Sequence, residues 1–186
     1  GDASIEPPVY STLRLKKAYQ FEPIPEGVNA SLIKGGQANL WTEQVYNMRH
    51  AQYMTWPRAF AIAEALWSPK DKRNWNDFAA RVEAHFGRLQ AAQVKYAPSI
   101  YDPIFEINKK DSATIIIKLS TEIEGLSIHY SFDNSFPDNY YPAYSSPLIV
   151  PKDAAALKVI TYRDNKPIGR LIVMPIAEMR KIAGIK

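Results

Sequence analysis

The sequence predicts an α+β chain: a mainly helical first part followed by a small β-sandwich of the immunoglobulin or fibronectin kind. Three observations predict it. All four tryptophans (Trp41, Trp56, Trp67, Trp75) precede Pro98. Val, Ile and Thr number 12 up to residue 98 and 21 after it, and β-branched side chains favour strands over helices. Between the two compositions lies APSIYDP, residues 97–103, with Pro98 and Pro103 near its ends, which reads as a linker. The expected domains are therefore 1–98 and 99–186.

Taken in order, residues 1–30 read as irregular, because Pro7, Pro8, Pro23 and Pro25 deny the backbone the donors that a helix or central strand needs. One short helical turn fits Leu13–Ala18. SLIKGGQANLW, Ser31–Trp41, reads as a buried strand whose glycine pair permits a bulge or a close backbone approach. A helix is expected over 49–67, with Phe60, Ala63 and Trp67 on its apolar stripe and a start or kink at Pro57. A second is expected from Trp75 to Gln93. Asn74 is its N-cap, and Phe78, Val82, His85, Phe86 and Leu89 form its apolar face.

Strands follow the linker. Ala113–Leu119 is isoleucine-rich, and Leu126–Phe132 alternates so that Leu126, Ile128, Tyr130 and Phe132 share one face. Further strands fit Ala143–Val150, Ala156–Tyr162 and Ile168–Met174, the last two separated by the turn Asp164-Asn165-Lys166-Pro167. Short strands at regular spacing indicate the sandwich. The tail from Pro175 reads as a short helix or a frayed end.

Composition bounds the chemistry. The 186 residues are 46% apolar, enough for a real core. The absence of cysteine excludes disulfides, thiolate metal sites and a Cys nucleophile. The net charge of +4 is spread along the chain without a basic tract, so no nucleic-acid partner is indicated. No apolar run is long enough to span a membrane. The opening GDASIEPPVY lacks the basic and apolar regions of a signal peptide. His50, His85 and His129 are too dispersed for a metal site, and no phosphate loop or serine elbow is present.

One segment carries chemistry: GGQANLWTE, Gly35 to Glu43. Side chains two apart on an extended chain point the same way, so Trp41 and Glu43 would face one space at a strand end, where a β/α barrel builds its active site. A tryptophan ring packs on the apolar face of a sugar, and a carboxylate accepts hydrogen bonds from its hydroxyls. The plainer alternative is a core tryptophan beside a glutamate favoured by a helix dipole. Arg58 and Glu64 read as a structural ion pair or surface charges. Tyr140, Tyr141 and Tyr144 read as loop packing or core, or else as an aromatic sugar platform. Trp56, Trp67 and Trp75 read as packing residues.

GGQANLWTE, YMTWPRAFAIAEALWS and WNDFAARVEAHFGRLQAAQVKY together resemble the end of the catalytic barrel of family 20 glycoside hydrolases, the β-N-acetylhexosaminidases. The shared features are a glycine-rich strand ending Leu40-Trp41-Thr42-Glu43, the Pro57-Arg58 pair, an Ala/Glu/Trp helix from Glu64 to Trp67, and a closing helix from Trp75 to Leu89. The stretch IHYSFDNSFPDNYYPAYSSPLIV resembles the small β-sandwich appended to some bacterial members. The resemblance implies the helical remnant of a (β/α)8 barrel followed by an accessory domain. It implies an N-acetylhexosamine-containing glycan as ligand, with Trp41 and Glu43 as substrate-binding residues, and it implies no cofactor. It also implies substrate-assisted retention, in which the acetamido oxygen attacks the anomeric carbon. The Asp-Glu pair of an HxGGDE-type motif that such chemistry uses does not occur in these 186 residues, so no catalytic residue is assigned and the chain alone is expected to be inactive. Its expected partner is the N-terminal barrel portion of the same protein. Without that portion, its apolar helix faces are expected to pack on the β domain or to self-associate. The family implies a periplasmic or extracellular location. The competing reading is a non-catalytic carbohydrate-binding or structural interaction module.

Overall fold

A computed structural model describes residues 13–111 and 113–185; the opening expected to be irregular lies outside them as far as residue 12. The chain is α+β and divides into two compact units, residues 1–99 and 100–186.

The first unit is helical among its described residues. Helix α1 (Leu15–Tyr19) packs on α3 (Arg58–Trp67), which follows α2 (Met48–Thr55) across Trp56-Pro57. The expected 49–67 helix is thus two helices, broken at the proline whose ring cannot continue a helix. The buried stripe of α3 is Ala61 and Ala65, whereas Trp67 is 87% exposed and Ala63 is exposed. The expectation that Trp67 is a packing residue is therefore corrected. Helix α4 (Trp75–Ala91) begins as expected: the Asn74 side chain accepts a hydrogen bond from the backbone N–H of Asp77 at 3.0 Å, satisfying one of the donors that a helix start leaves free. Phe78, Ala79, Val82 and Phe86 are its buried side chains. The Tyr19 ring stacks on Phe78 at 4.6 Å between centroids, and Tyr96 stacks on Phe86 at 4.2 Å.

The segment expected to be a buried strand, Ser31–Trp41, is not one. Ala30–Leu32 form a 3-10 turn, and residues 33–41 form no helix or paired strand and are largely exposed. Extended backbone is stabilised in a sheet by a neighbour that takes its N–H and C=O groups, and the described residues of this unit hold no strand. Of the glycine pair, Gly36 provides close approach: a Cβ there would stand 2.8 Å from Leu66 Cδ2 and 3.1 Å from Phe21, whereas Gly35 has nothing within 4 Å.

The second unit holds two antiparallel sheets. The first is β1 (Ile104–Lys109), β2 (Ile115–Ser120) and β4 (Leu148–Ile149), in the order β1-β2-β4. The second pairs β3 (Ser127–Ser131) with β5 (Ala156–Arg163), which also pairs with β6 (Lys166–Pro167) and β7 (Ile172–Pro175). Helix α5 (Ile176–Ile182) closes the chain. One apolar cluster joins Ile115, Ile117 and Leu119 of β2, Ile128 of β3, Leu157 and Val159 of β5, and Ile176 and Met179 of α5. The face read in 126–132 is met in part: Ile128 is buried and Tyr130 and Phe132 pack against the same cluster, Leu126 is not part of it, and His129 and Ser131 on the other face are buried as well. Strand β5 is buried on both faces, since Ile160, Thr161 and Tyr162 are also inside. Strand β1 was not expected. Its Ile104, Phe105 and Ile107 are only half-buried, so the alternation is faint. The strand expected over Ala143–Val150 contracts to β4 plus a single bridge between Ala143 and His129, because Pro147 and Pro151 bound it.

Candidate functional site

Trp41 is extended, with φ −77° and ψ 124°, and precedes the 3-10 turn Thr42–Gln44, closed by the Val45 N–H donating to the Thr42 carbonyl at 3.0 Å. Glu43 lies inside that turn. The two-residue alternation that would aim both side chains one way therefore stops at Trp41, because a 3-10 turn repeats every three residues. The expectation of a common strand face is corrected on this point. Both residues are nevertheless exposed, Trp41 at 63%. In this chain they form an accessible indole and a carboxylate two residues apart.

The surroundings carry further apolar surface. Leu32, Tyr46 and Met48 are each more than 70% exposed.

The other residues singled out fall outside this segment. Arg58 donates to the carbonyls of Leu13 at 2.7 Å and Met54 at 3.1 Å. Glu64 instead receives Arg81, at 2.8 and 3.1 Å, so the expected Arg58–Glu64 pair is replaced by one with a residue of α4. Glu64 and Arg81, with Phe60, Trp67, Val82 and His85, line a groove of about 240 Å³. His50 stacks on Tyr46, the His85 ring lies tilted against Phe60, and buried His129 bonds the Tyr141 carbonyl through Nδ1 at 2.8 Å. Among the described residues no group of three or more His, Asp or Glu side chains is placed to hold a metal ion. Of the tyrosines, Tyr144 packs against the core, Tyr141 is half-buried and Tyr140 is 90% exposed. Sequence reasoning missed the buried Asp102, which is gripped by Arg170 through Nε at 3.1 Å and through Nη2, and the half-exposed Phe136. A conspicuous loop composition around Phe136 was the available signal; Asp102 had none.

Residues 2–70 match the family model of glycosyl hydrolase family 20, catalytic domain. The first part of the chain is thus similar to that family. Residues 117–174 match a second model, described as Fn3 associated. The chain is 32% identical over 100 residues to a beta-hexosaminidase of Porphyromonas gingivalis, which covers 52% of this chain and 13% of that protein. It is 39% identical over 77 residues to a beta-hexosaminidase of Akkermansia muciniphila, covering 40% and 15% respectively. It is 38% identical over 89 residues to the human beta-hexosaminidase subunit beta, covering 44% and 16%. The chain thus spans about one seventh of the length of these relatives. Trp41 and Glu43 lie within the glycosyl hydrolase family 20 segment, and the loop bearing Tyr140 lies within the Fn3-associated one.

Proposed function

We propose that this chain is the closing part of a β-N-acetylhexosaminidase: the last strand and helices of a (β/α)8 barrel followed by an accessory β-sandwich. The observation that carries the reading is the family match over residues 2–70 together with an exposed Trp41-Thr42-Glu43 at the end of a segment that pairs with no strand. A barrel strand deprived of its neighbours would have this character, as would helices with uncovered apolar side chains. The missing neighbours are the N-terminal barrel portion of the same protein; in its absence the exposed surface drives self-association.

In the assembled site the Trp41 ring packs on the apolar face of a terminal N-acetylhexosamine, and Glu43 accepts hydrogen bonds from ring hydroxyls. Both bind and orient; neither transfers a proton. The reaction itself is substrate-assisted retention: the acetamido oxygen forms a bond to the anomeric carbon as the glycosidic bond breaks, and an acid protonates the leaving oxygen. That acid, and the aspartate that orients the acetamido group, belong to a motif outside these residues. A periplasmic or extracellular location fits an enzyme that trims external glycans.

The test is hydrolysis of an aryl β-N-acetylglucosaminide. The full reading frame containing these residues releases the aryl alcohol, and the purified 186-residue chain does not. Turnover by the chain alone, or none by the intact frame in its folded state, contradicts the proposal.

A further inference from the structure

A second feature lies in the unit that the hexosaminidase reading leaves without a task. Residues 132–147 join β3 to β4 with no strand or helix of their own, and loops of this length in compact domains are uncommon unless they serve a function or are disordered. This one is tied down along its length. Asp133 accepts from the Ser135 N–H at 3.0 Å and from the Tyr141 hydroxyl at 3.1 Å. Ser131 donates to the Ser135 carbonyl at 2.7 Å, and Lys158 donates to the Asn134 carbonyl. Pro137 is fully buried, with its carbonyl 3.4 Å from the Tyr162 hydroxyl. Asp138 accepts from the Tyr140 N–H at 2.9 Å. The returning leg is fastened by His129 Nδ1 to the Tyr141 carbonyl at 2.8 Å and by the Tyr144 N–H to the Ile128 carbonyl at 2.7 Å.

From this fixed frame two rings project into solvent, Tyr140 at 90% and Phe136 at 50% exposure. The composition between 133 and 147 is that of a binding loop: three Tyr, three Ser, two Asn, two Asp and one Phe, without Lys, Arg, Leu, Ile, Val or Met. Tyrosine offers rigid amphipathic area at low entropic cost, and Ser and Asn offer adaptable hydrogen bonds. The chemistry of the partner follows by elimination. Two carboxylates and no cation within the loop disfavour nucleic acid, phosphate or any polyanion. The exposed apolar groups are these two rings and the small surfaces of Pro142, Ala143 and Pro147 among polar neighbours, without the large contiguous core that a protein interface needs. Flat rings flanked by amide and hydroxyl groups fit a neutral pyranose, whose C–H face stacks while its hydroxyls find Asn139, Ser145 or Ser146, all exposed.

We propose that the β3–β4 loop is a binding platform for neutral oligosaccharide, with Tyr140 and Phe136 as its stacking rings. It goes beyond the hexosaminidase reading, does not depend on the barrel, and would hold a glycan near an enzyme without taking part in its cleavage.

Two measurements test it. In the first, the ¹⁵N-labelled chain is titrated with chitotetraose and with cellotetraose at millimolar concentration. In the second, the protein is run by affinity electrophoresis in gels containing glycol chitin or hydroxyethyl cellulose, which reads binding whatever the state of association. We expect amide shifts across 136–146 with at least one sugar and retardation in the matching gel. Affinity should fall roughly tenfold in Tyr140→Ala, the loss of about one stacked ring, and fall again in Phe136→Ala, but be retained in Tyr140→Phe. Unchanged β5 amide shifts in the variants show that the unit stays folded. No response to either sugar overturns the proposal. So do shifts confined to residues of the first unit, or loop shifts that depend on protein concentration without sugar, which would mark a protein contact. None of these outcomes decides whether the intact frame is an enzyme.

Discussion

Arg81 of α4 holds Glu64 of α3 with both terminal guanidinium nitrogens, at 2.8 and 3.1 Å, while its Nε donates to Asp77 at 3.0 Å. The two helices are thereby fixed in register by a bidentate pair. The Glu64 side chain is 16% exposed and that of Arg81 49%, so water screens part of the attraction. A double-mutant cycle with Glu64→Gln and Arg81→Met should give a coupling of about 0.5–1 kcal/mol, reduced by added salt. Additive variants would show that the pair does not couple the helices.

Two helix starts use the same device. Asn74 caps α4 through Asp77, and Asn47 caps α2 through the His50 N–H at 2.9 Å. Asn74→Ala should lower the stability of the first unit by about 1 kcal/mol, and Asn74→Asp by much less, since the carboxylate keeps the acceptor and suits the dipole. Chemical denaturation followed by tryptophan fluorescence reads this unit alone, because all four tryptophans lie in it. Equal losses in both variants would contradict the capping assignment.

Two glycines should respond in opposite directions to alanine. A Cβ at Gly169 would stand 2.1 Å from Thr161 Oγ1 and 3.1 Å from the Tyr101 carbonyl, the very pair joined by a 2.7 Å hydrogen bond. Gly169→Ala should cost about 1–3 kcal/mol through overpacking. Gly87 sits in the interior of α4 with nothing within 4 Å of its would-be Cβ, so Gly87→Ala should add about 0.5–1 kcal/mol. Thermal unfolding of the two variants checks both signs.

The β3–β4 loop should loosen in acid. The Ser135 N–H and the Tyr141 hydroxyl hold the Asp133 carboxyl below its ordinary value of 3.8, outweighing a smaller upward push from desolvation. A depressed native value means that the stabilisation is complete above the unfolded-state pKa and is lost as pH falls through the native one. The Asp133 carboxyl carbon should therefore titrate below 3.8, with the Ser135 amide following the same midpoint. A midpoint at or above the ordinary value would contradict the assignment.

Residue patterns foretold most of the elements. Asn74 announced α4, Pro57 announced the break before α3, and the alternation of Ile128, Tyr130 and Phe132 announced the core face of β3. The failures have a common origin in partners distant along the chain. Ser31–Trp41 has the composition of a strand but lacks a neighbour to pair with, and Trp67 has the spacing of a core residue but lacks a surface to cover it. The Glu64–Arg81 and Asp102–Arg170 pairs span 17 and 68 positions, which no local pattern encodes. In the candidate site, Trp41 and Glu43 were legible as an aromatic and a carboxylate; the 3-10 turn that ends their strand-like alternation was not.

The proposed roles of Trp41 and Glu43 in holding the sugar of a hexosaminidase are checked by the steady-state kinetics of the full reading frame on an aryl β-N-acetylglucosaminide, comparing the parent with Glu43→Gln and Trp41→Ala. An active parent is expected. So is a loss of kcat/KM in Glu43→Gln equivalent to about 1.5–3 kcal/mol, the worth of a hydrogen bond to a charged group, with a comparable loss in Trp41→Ala and folding unchanged. An active parent whose kcat/KM survives both substitutions would place the sugar elsewhere and contradict the account.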